Sequence, residues 1–178
     1  MPDKGRFIYW DSNVFLAYLN GEDGRVNIID DLWNEIEKEK SDRIITSVAT
    51  SIEVFCASYE KKRGKLDPSV EVIIREMFYN QSIILCVETS SAIADISRNL
   101  LRFAISKSWA LRTFDALELA TAKWVHENVH NVDEFHTYDD KLEKFGPQIG
   151  IKIAQPHVMQ PSLSSQWHKS EKEEGDVI

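Results

Sequence analysis

Four carboxylates recur at one kind of place along this chain. Asp11, Glu53, Asp115 and Asp139 each stand where a run of strand-forming residues gives way to a helical pattern, or near the start of that helix. Folding can therefore gather them at one sheet edge. Converging carboxylates repel one another and raise one another's pKa unless cations neutralise them, so the pattern points to a metal site. Hard oxygen donors suit Mg2+ or Mn2+ rather than zinc. One or two such ions, about 3.5–4 Å apart when paired, can acidify an attacking water and stabilise a leaving oxygen in phosphodiester hydrolysis. That chemistry needs no side-chain nucleophile, and the chain carries neither a convincing Ser/His/Asp or Cys/His arrangement nor a Gly-x-x-x-x-Gly-Lys phosphate loop. Taken singly, Asp11 and Asp115 read as helix caps or first-turn dipole partners, Glu53 as a solvated helix residue and Asp139 as a turn former. Their shared placement favours one site, with Ser12, Asn13, Glu118, Thr137 and Asp140 as the neighbours that would orient it.

A second pattern competes. His126-Glu127-Asn128-Val129-His130 matches the His-Glu-x-x-His signature of zinc proteases. It falls at a frayed helix end with no further Gly-x-x-His, so exposed helix-end histidines are the expectation. His136 or His157 would complete a zinc set only by a coincidence of folding.

The elements that must position the four acids follow from the apolar spacing. Phe7–Trp10 reads as a strand buried on both faces, and Ser12 as the cap of a helix through Leu19. A helix is predicted over Ile28–Lys40, a strand over Ile44–Thr46, and a helix capped by Ser47 with Val48, Ile52, Phe55 and Tyr59 as its apolar stripe. Asp67-Pro68 opens another helix reaching about Asn80, and Ile83–Val87 reads as a buried strand. Ile93, Ile96, Leu100 and Phe103 mark a long helix, and Thr113 is placed to cap the helix carrying Asp115. Phe135–Thr137, Asp140–Phe145 and Ile149–Ile153 give a strand, a short helix and an edge strand. Strands separated by helices predict a three-layer α/β/α sandwich with a central, mostly parallel sheet, which binds ligands at the carboxyl ends of its strands.

With 178 residues, 43% apolar and 28% charged, the chain suits one globular domain, expected over residues 1–155, with a weakly ordered polar and acidic tail over 156–178. Cys56 and Cys86, inside apolar segments, read as reduced core thiols, which with the absence of an apolar span or signal-like start predicts a soluble cytoplasmic protein away from membranes. The net charge of −8 opposes a nucleic-acid partner only in sum. Lys61, Lys62, Arg63 and Lys65 form a basic knot, and Arg98, Arg102 and Arg112 lead toward Asp115 as candidate RNA-binding residues. The plainer reading of both groups is a solvated surface.

At these residues the chain resembles the PIN-domain family, the metal-dependent ribonucleases that include VapC-type toxins of toxin–antitoxin pairs. Asp11-Ser12-Asn13 resembles the family's opening Asp-Thr/Ser-Asn, Glu53 its helix glutamate, and Thr137-Tyr138-Asp139 its late Thr-x-Asp, with Asp140 as a neighbouring substitute. The segment from Asp115-Ala116-Leu117 to Ala122 is similar to its Asp-Ala-Leu helix start. The resemblance covers about Phe7–Ile153. It implies a divalent-metal-dependent endoribonuclease with Asp11, Glu53, Asp115 and Asp139 as catalytic metal ligands, RNA as substrate, and, for a toxin, an antitoxin partner. It also implies a homodimer, for which Trp10, Tyr18, Trp33, Trp109 and Trp124 offer aromatic surface if they are not core. The competing reading keeps the fold without turnover, as an RNA-binding or protein-interaction module. The presence of all four acids weighs against it.

Overall fold

The structure is a computed structural model that describes residues 5–79 and 82–158; the expected tail lies almost wholly outside them. Its centre is β1 (Phe7–Trp10), whose Ile8, Tyr9 and Trp10 have almost no solvent exposure. A strand whose side chains are apolar on both faces needs cover on both, and it has that here. β1 pairs in parallel with β2 (Arg43–Ser47) on one side and β4 (Glu134–His136) on the other. β3 (Ile84–Val87) and β5 (Lys152–Ala154) complete an all-parallel sheet in the order β3-β2-β1-β4-β5.

Alternation along the strands divides the core in two. Ile8, Trp10, Ile44 and Ile84 face α1 (Ser12–Leu19), α2 (Val26–Lys38) and α5 (Pro68–Tyr79). Tyr9, Ile45, Phe135 and Ile153 face α6 (Ser91–Ser106) and α7 (Thr113–Asn128), together with a 3-10 turn (Asp140–Phe145) and α8 (Gly146–Ile149). The result is the expected α/β/α sandwich. Small residues Ala116, Ala120 and Ala122 let α7 lie close on the sheet. The large aromatics serve the core: Trp10 packs on Phe15 and Trp33, and Trp109 stands edge-on between Phe103 and Phe145. Among the described residues no helix is long and apolar enough to cross a membrane.

Several local expectations change. The segment after β2 is not one helix: α3 spans Val48–Glu53, and α4 (Ser58–Arg63) starts afresh. Glu60, buried, accepts from the Ala57 and Asp67 amides at 2.7 and 2.5 Å, which fixes the break. The supposed stripe Val48, Ile52, Phe55 and Tyr59 is consequently exposed. Asp11 rather than Ser12 caps α1, and Arg112, without a side-chain cap bond, precedes α7, so Thr113 is already helical. β3 lies at the sheet edge, and Cys86 on it is exposed whereas Cys56 is buried. Ile149 ends α8, and Gly150 at φ 72° supplies the left-handed turn into β5.

Phe135 is fully buried and stacks on Tyr9 at 4.9 Å between ring centroids. Phe135→Ala leaves a cavity between sheet and helices and should cost about 3–5 kcal/mol, read as a lowered urea midpoint at unchanged slope.

Candidate functional site

The strand order reverses at β1, because the chain adds β2 and β3 on one side and returns to place β4 and β5 on the other. The crevice beyond the carboxyl ends of β1 and β4 is the natural ligand position in such a sheet. Asp11 follows Trp10 directly, and its amide extends the ladder to the His136 carbonyl at 3.2 Å. Its side chain then turns back over α1: Oδ1 accepts from the Asn13 and Val14 amides at 3.0 and 3.2 Å, and Oδ2 from the Asn13 side-chain amide at 3.2 Å. Thr137 accepts from the Asp139 amide at 2.9 Å and lies close enough to Asp11 to favour its charged form, so one side chain stands between the acids after β1 and β4.

Glu53 is the last residue of α3 and lies near Ser12, which favours its charged form. Asp115 lies in the first turn of α7 and is buried. The guanidinium of Arg112 donates to both its oxygens, at 2.9 and 3.1 Å, and stands 4.0 Å from Asp139. The charges of Glu53 and Asp139 also act on Arg112. Three of the four predicted acids, Glu53, Asp115 and Asp139, therefore gather around one arginine, while Asp11 lies next to them at the end of β1.

Glu118, one turn beyond Asp115 on α7, is more central than a supporting role suggests. It has no exposure and accepts from the Ser12 amide at 3.0 Å and the Thr50 hydroxyl at 2.8 Å. Thr50, on α3 and tied to Ser47, joins the site without having been foreseen; the only sequence signal was its place three residues after a helix cap. Asp140 falls outside: its carboxylate is exposed and accepts from Gln155 at 3.1 Å. Arg98 and Arg102 stand exposed on α6, Arg98 paired with Asp95, and neither touches the acids among the described residues. Of the three candidate RNA-binding arginines, only Arg112 reaches the acidic site.

The His-Glu-x-x-His pair does not converge. His126 Nδ1 accepts from the Val132 amide at 3.1 Å, closing the helix end, and His130 stacks on Phe7. Among the described residues, the group of three or more ligating side chains whose donor atoms all lie within 4.8 Å is Glu134, His136 and His157. No three of the four acids approach that closely. Arg112, largely exposed, pairs with Asp115 and approaches Asp139 from the rim of the site.

The electrostatics fit a cation site. Burial pushes Asp11 up to about 7 against its hydrogen bonds from Thr137, Val14 and Asn13. Burial, with the charges of Asp11 and Glu53, drives Glu118 well above the ordinary carboxylate range. Burial and Asp115 raise Glu53, opposed by Ser12 and Arg112. One oxygen of Glu53 and one of Glu118 are buried without a hydrogen-bond partner, and the nearby donors are all oxygens, a set suited to a hard divalent ion.

Comparison with known proteins agrees with this architecture. The PIN domain profile matches residues 8–146. VapBC2 from Rickettsia felis, solved bound to a DNA fragment from its promoter, superposes at a TM-score of 0.57 and 15% identity, covering 84% of this chain and 98% of the other. VapC20 of Mycobacterium tuberculosis, a sarcin-ricin loop cleaving toxin, gives 0.55 and 14%, covering 78% and 95%. FitAcB from Neisseria gonorrhoeae gives 0.53 and 15%, covering 84% and 97%. No curated protein matches the chain by sequence.

A raised acid stabilises the fold below its unfolded pKa and loses that contribution as pH climbs through the folded value. For Asp11 the window runs from 3.8 to about 7, a loss of at most roughly 4 kcal/mol. In chelator the thermal midpoint should therefore fall between pH 5 and pH 8. Asp11→Asn keeps a capping oxygen, so it should flatten the slope and raise the midpoint at pH 8. An unchanged slope would mean that Asp11 ionises freely in the fold.

Proposed function

The chain belongs to the PIN-domain family, and we propose that it is a divalent-metal-dependent endoribonuclease that hydrolyses RNA phosphodiester bonds at the acidic site. One observation carries this reading: four acids from four separate segments converge at the sheet's switch point, where Arg112 is the cation paired with Asp115 and close to Asp139. Asp11, Glu53, Asp115 and Asp139 would hold Mg2+ or Mn2+. The ion would supply electrophilic charge to the scissile phosphate and acidify the attacking water.

The protein's own groups then divide the work. Asn13 and Thr137 fix Asp11, Ser12 fixes Glu53, and Thr137 holds the Asp139 backbone, so the ligands are oriented before substrate arrives. Glu118, whose pKa burial and the charges of Asp11 and Glu53 raise well above the ordinary carboxylate range, lies at the floor of the site, tied to the Ser12 amide and the Thr50 hydroxyl. Arg112, largely exposed, is free to leave Asp115 for an RNA phosphate once a metal neutralises the acids.

The solved relatives support the biological side of the proposal at the level of fold. One is named as cleaving the sarcin-ricin loop, and others carry the names VapBC and FitAcB, so an antitoxin protein is the partner we assign to this chain. A non-catalytic RNA-binding module on the same fold is the competing outcome.

Asp115→Asn should lower RNA cleavage by at least about 100-fold, and EDTA should abolish it, with circular dichroism unchanged. Metal-independent shifted RNA complexes without cleavage would favour the module. Arg112→Gln should weaken RNA binding and reduce its salt dependence by about one phosphate contact, measured by fluorescence anisotropy across salt concentrations.

A further inference from the structure

The histidines that this chain brings together are not the ones its sequence motif suggests. Glu134 and His136 lie two residues apart on β4 and so project on the same face of the sheet. His157 follows β5 and folds back over them. Its Nε2 stands 3.4 Å from Glu134 Oε2, and His136 Nε2 stands 3.0 Å from the same oxygen. The two imidazole rings are 5.4 Å apart between centroids.

We propose that Glu134, His136 and His157 are the protein ligands of a zinc-type transition-metal site, separate from the acidic centre, that fastens the segment after β5 to β4. Tetrahedral zinc, with bonds of about 2.0–2.2 Å, holds its ligand atoms about 3.4 Å apart. Of the two nitrogen-to-oxygen separations, 3.4 Å meets that spacing and 3.0 Å lies just inside it, and all three donor atoms lie within 4.8 Å of one another. Two imidazoles and one carboxylate suit zinc and its first-row neighbours, in contrast to the all-oxygen set at the acidic site.

The surroundings are those of a built site. His136 has no exposure, and its Nδ1 is buried without a partner, so the protein does not already use both ring nitrogens. Lys152 donates to Glu134 Oε1 at 2.7 Å, which orients the carboxylate while leaving Oε2 toward the histidines. The lysine side chain is two-thirds exposed (67%), so its charge acts through solvent of high dielectric and repels a bound cation weakly. His157 is the solvent-facing ligand, at 43% exposure, and gives the ion its entry.

The test uses the full chain, stripped with chelator and then titrated with Zn2+ in excess Mg2+. One equivalent of zinc should bind. His157→Ala, at an exposed position, and Glu134→Gln should each weaken it by at least about 100-fold, the upper range for loss of an outer-shell partner alone. Asp115→Asn should leave it unchanged. Co2+ in place of Zn2+ should give visible absorption of tetrahedral intensity that His157→Ala removes. Failure of the parent protein to bind zinc, or binding that survives His157→Ala, would overturn the site. Zinc lost on Asp115→Asn would assign the ion to the acidic centre instead. A plain hydrogen-bonded Glu–His–Lys cluster predicts the first of these results.

Discussion

The burial of Asp11 is the constraint on which this structure turns. A carboxylate with no exposure, at the end of the central strand, cannot keep its charge cheaply, yet its side chain caps the first helix and lies beside Thr137. Hydrogen bonds alone do not compensate for the lost water, since its pKa still rises to about 7. The neighbouring acids share the difficulty: the charges of Asp11 and Glu53 add to burial in raising Glu118, and Asp115 adds to burial in raising Glu53. The fold therefore contains a position at which a cation is favoured before any substrate is considered. Arg112 meets part of that demand from the rim.

The sheet order explains why the demand arises there. Parallel strands end together, and the reversal at β1 opens a crevice instead of a continuous helical cover. Helices entering and leaving the crevice point their first or last turns toward it, so α1, α3 and α7 each deliver a side chain from a different stretch of sequence. The small residues of α7 are part of the same arrangement, because close approach to the sheet carries Asp115 and Glu118 inward. Support for the site is thus also support for the core, and the serine and threonine hydroxyls that orient the acids replace water lost on burial.

On the opposite side of β4's end, Glu134 and His136 show a different solution to the same difficulty. There a buried carboxylate is held well within its ionised range, at about 2, by His136 and Lys152, whereas Asp11 has no such cation. Two polar clusters on one strand and its extension thus differ in ligand chemistry as well as charge: oxygens alone at the crevice, nitrogen and oxygen beside β5.

The strands and their parallel order were legible in the sequence because unbroken apolar runs and intervening helical periods leave few alternatives, and β1 and the 3-10 turn keep the expected bounds. Asp11, Asp115 and Asp139 could be expected near one edge because each stands at or next to a helix start, which parallel topology places at one end of the sheet, whereas Glu53 closes α3 instead of opening it. What the sequence could not determine was everything that depends on long-range packing. Val48, Ile52, Phe55 and Tyr59 have helical spacing, but the helix breaks after Glu53, Glu60 bonds the Ala57 amide that opens α4 and the Asp67 amide beyond it, and the four residues stay exposed. Thr50 and the depth of Glu118 emerge only when α3 and α7 meet over β1, and His157 reaches Glu134 across 23 residues with no spacing signal at all. Local periodicity specifies which face a residue takes on its own element; only the tertiary structure decides which faces meet, because burial and charge compensation are properties of several elements at once.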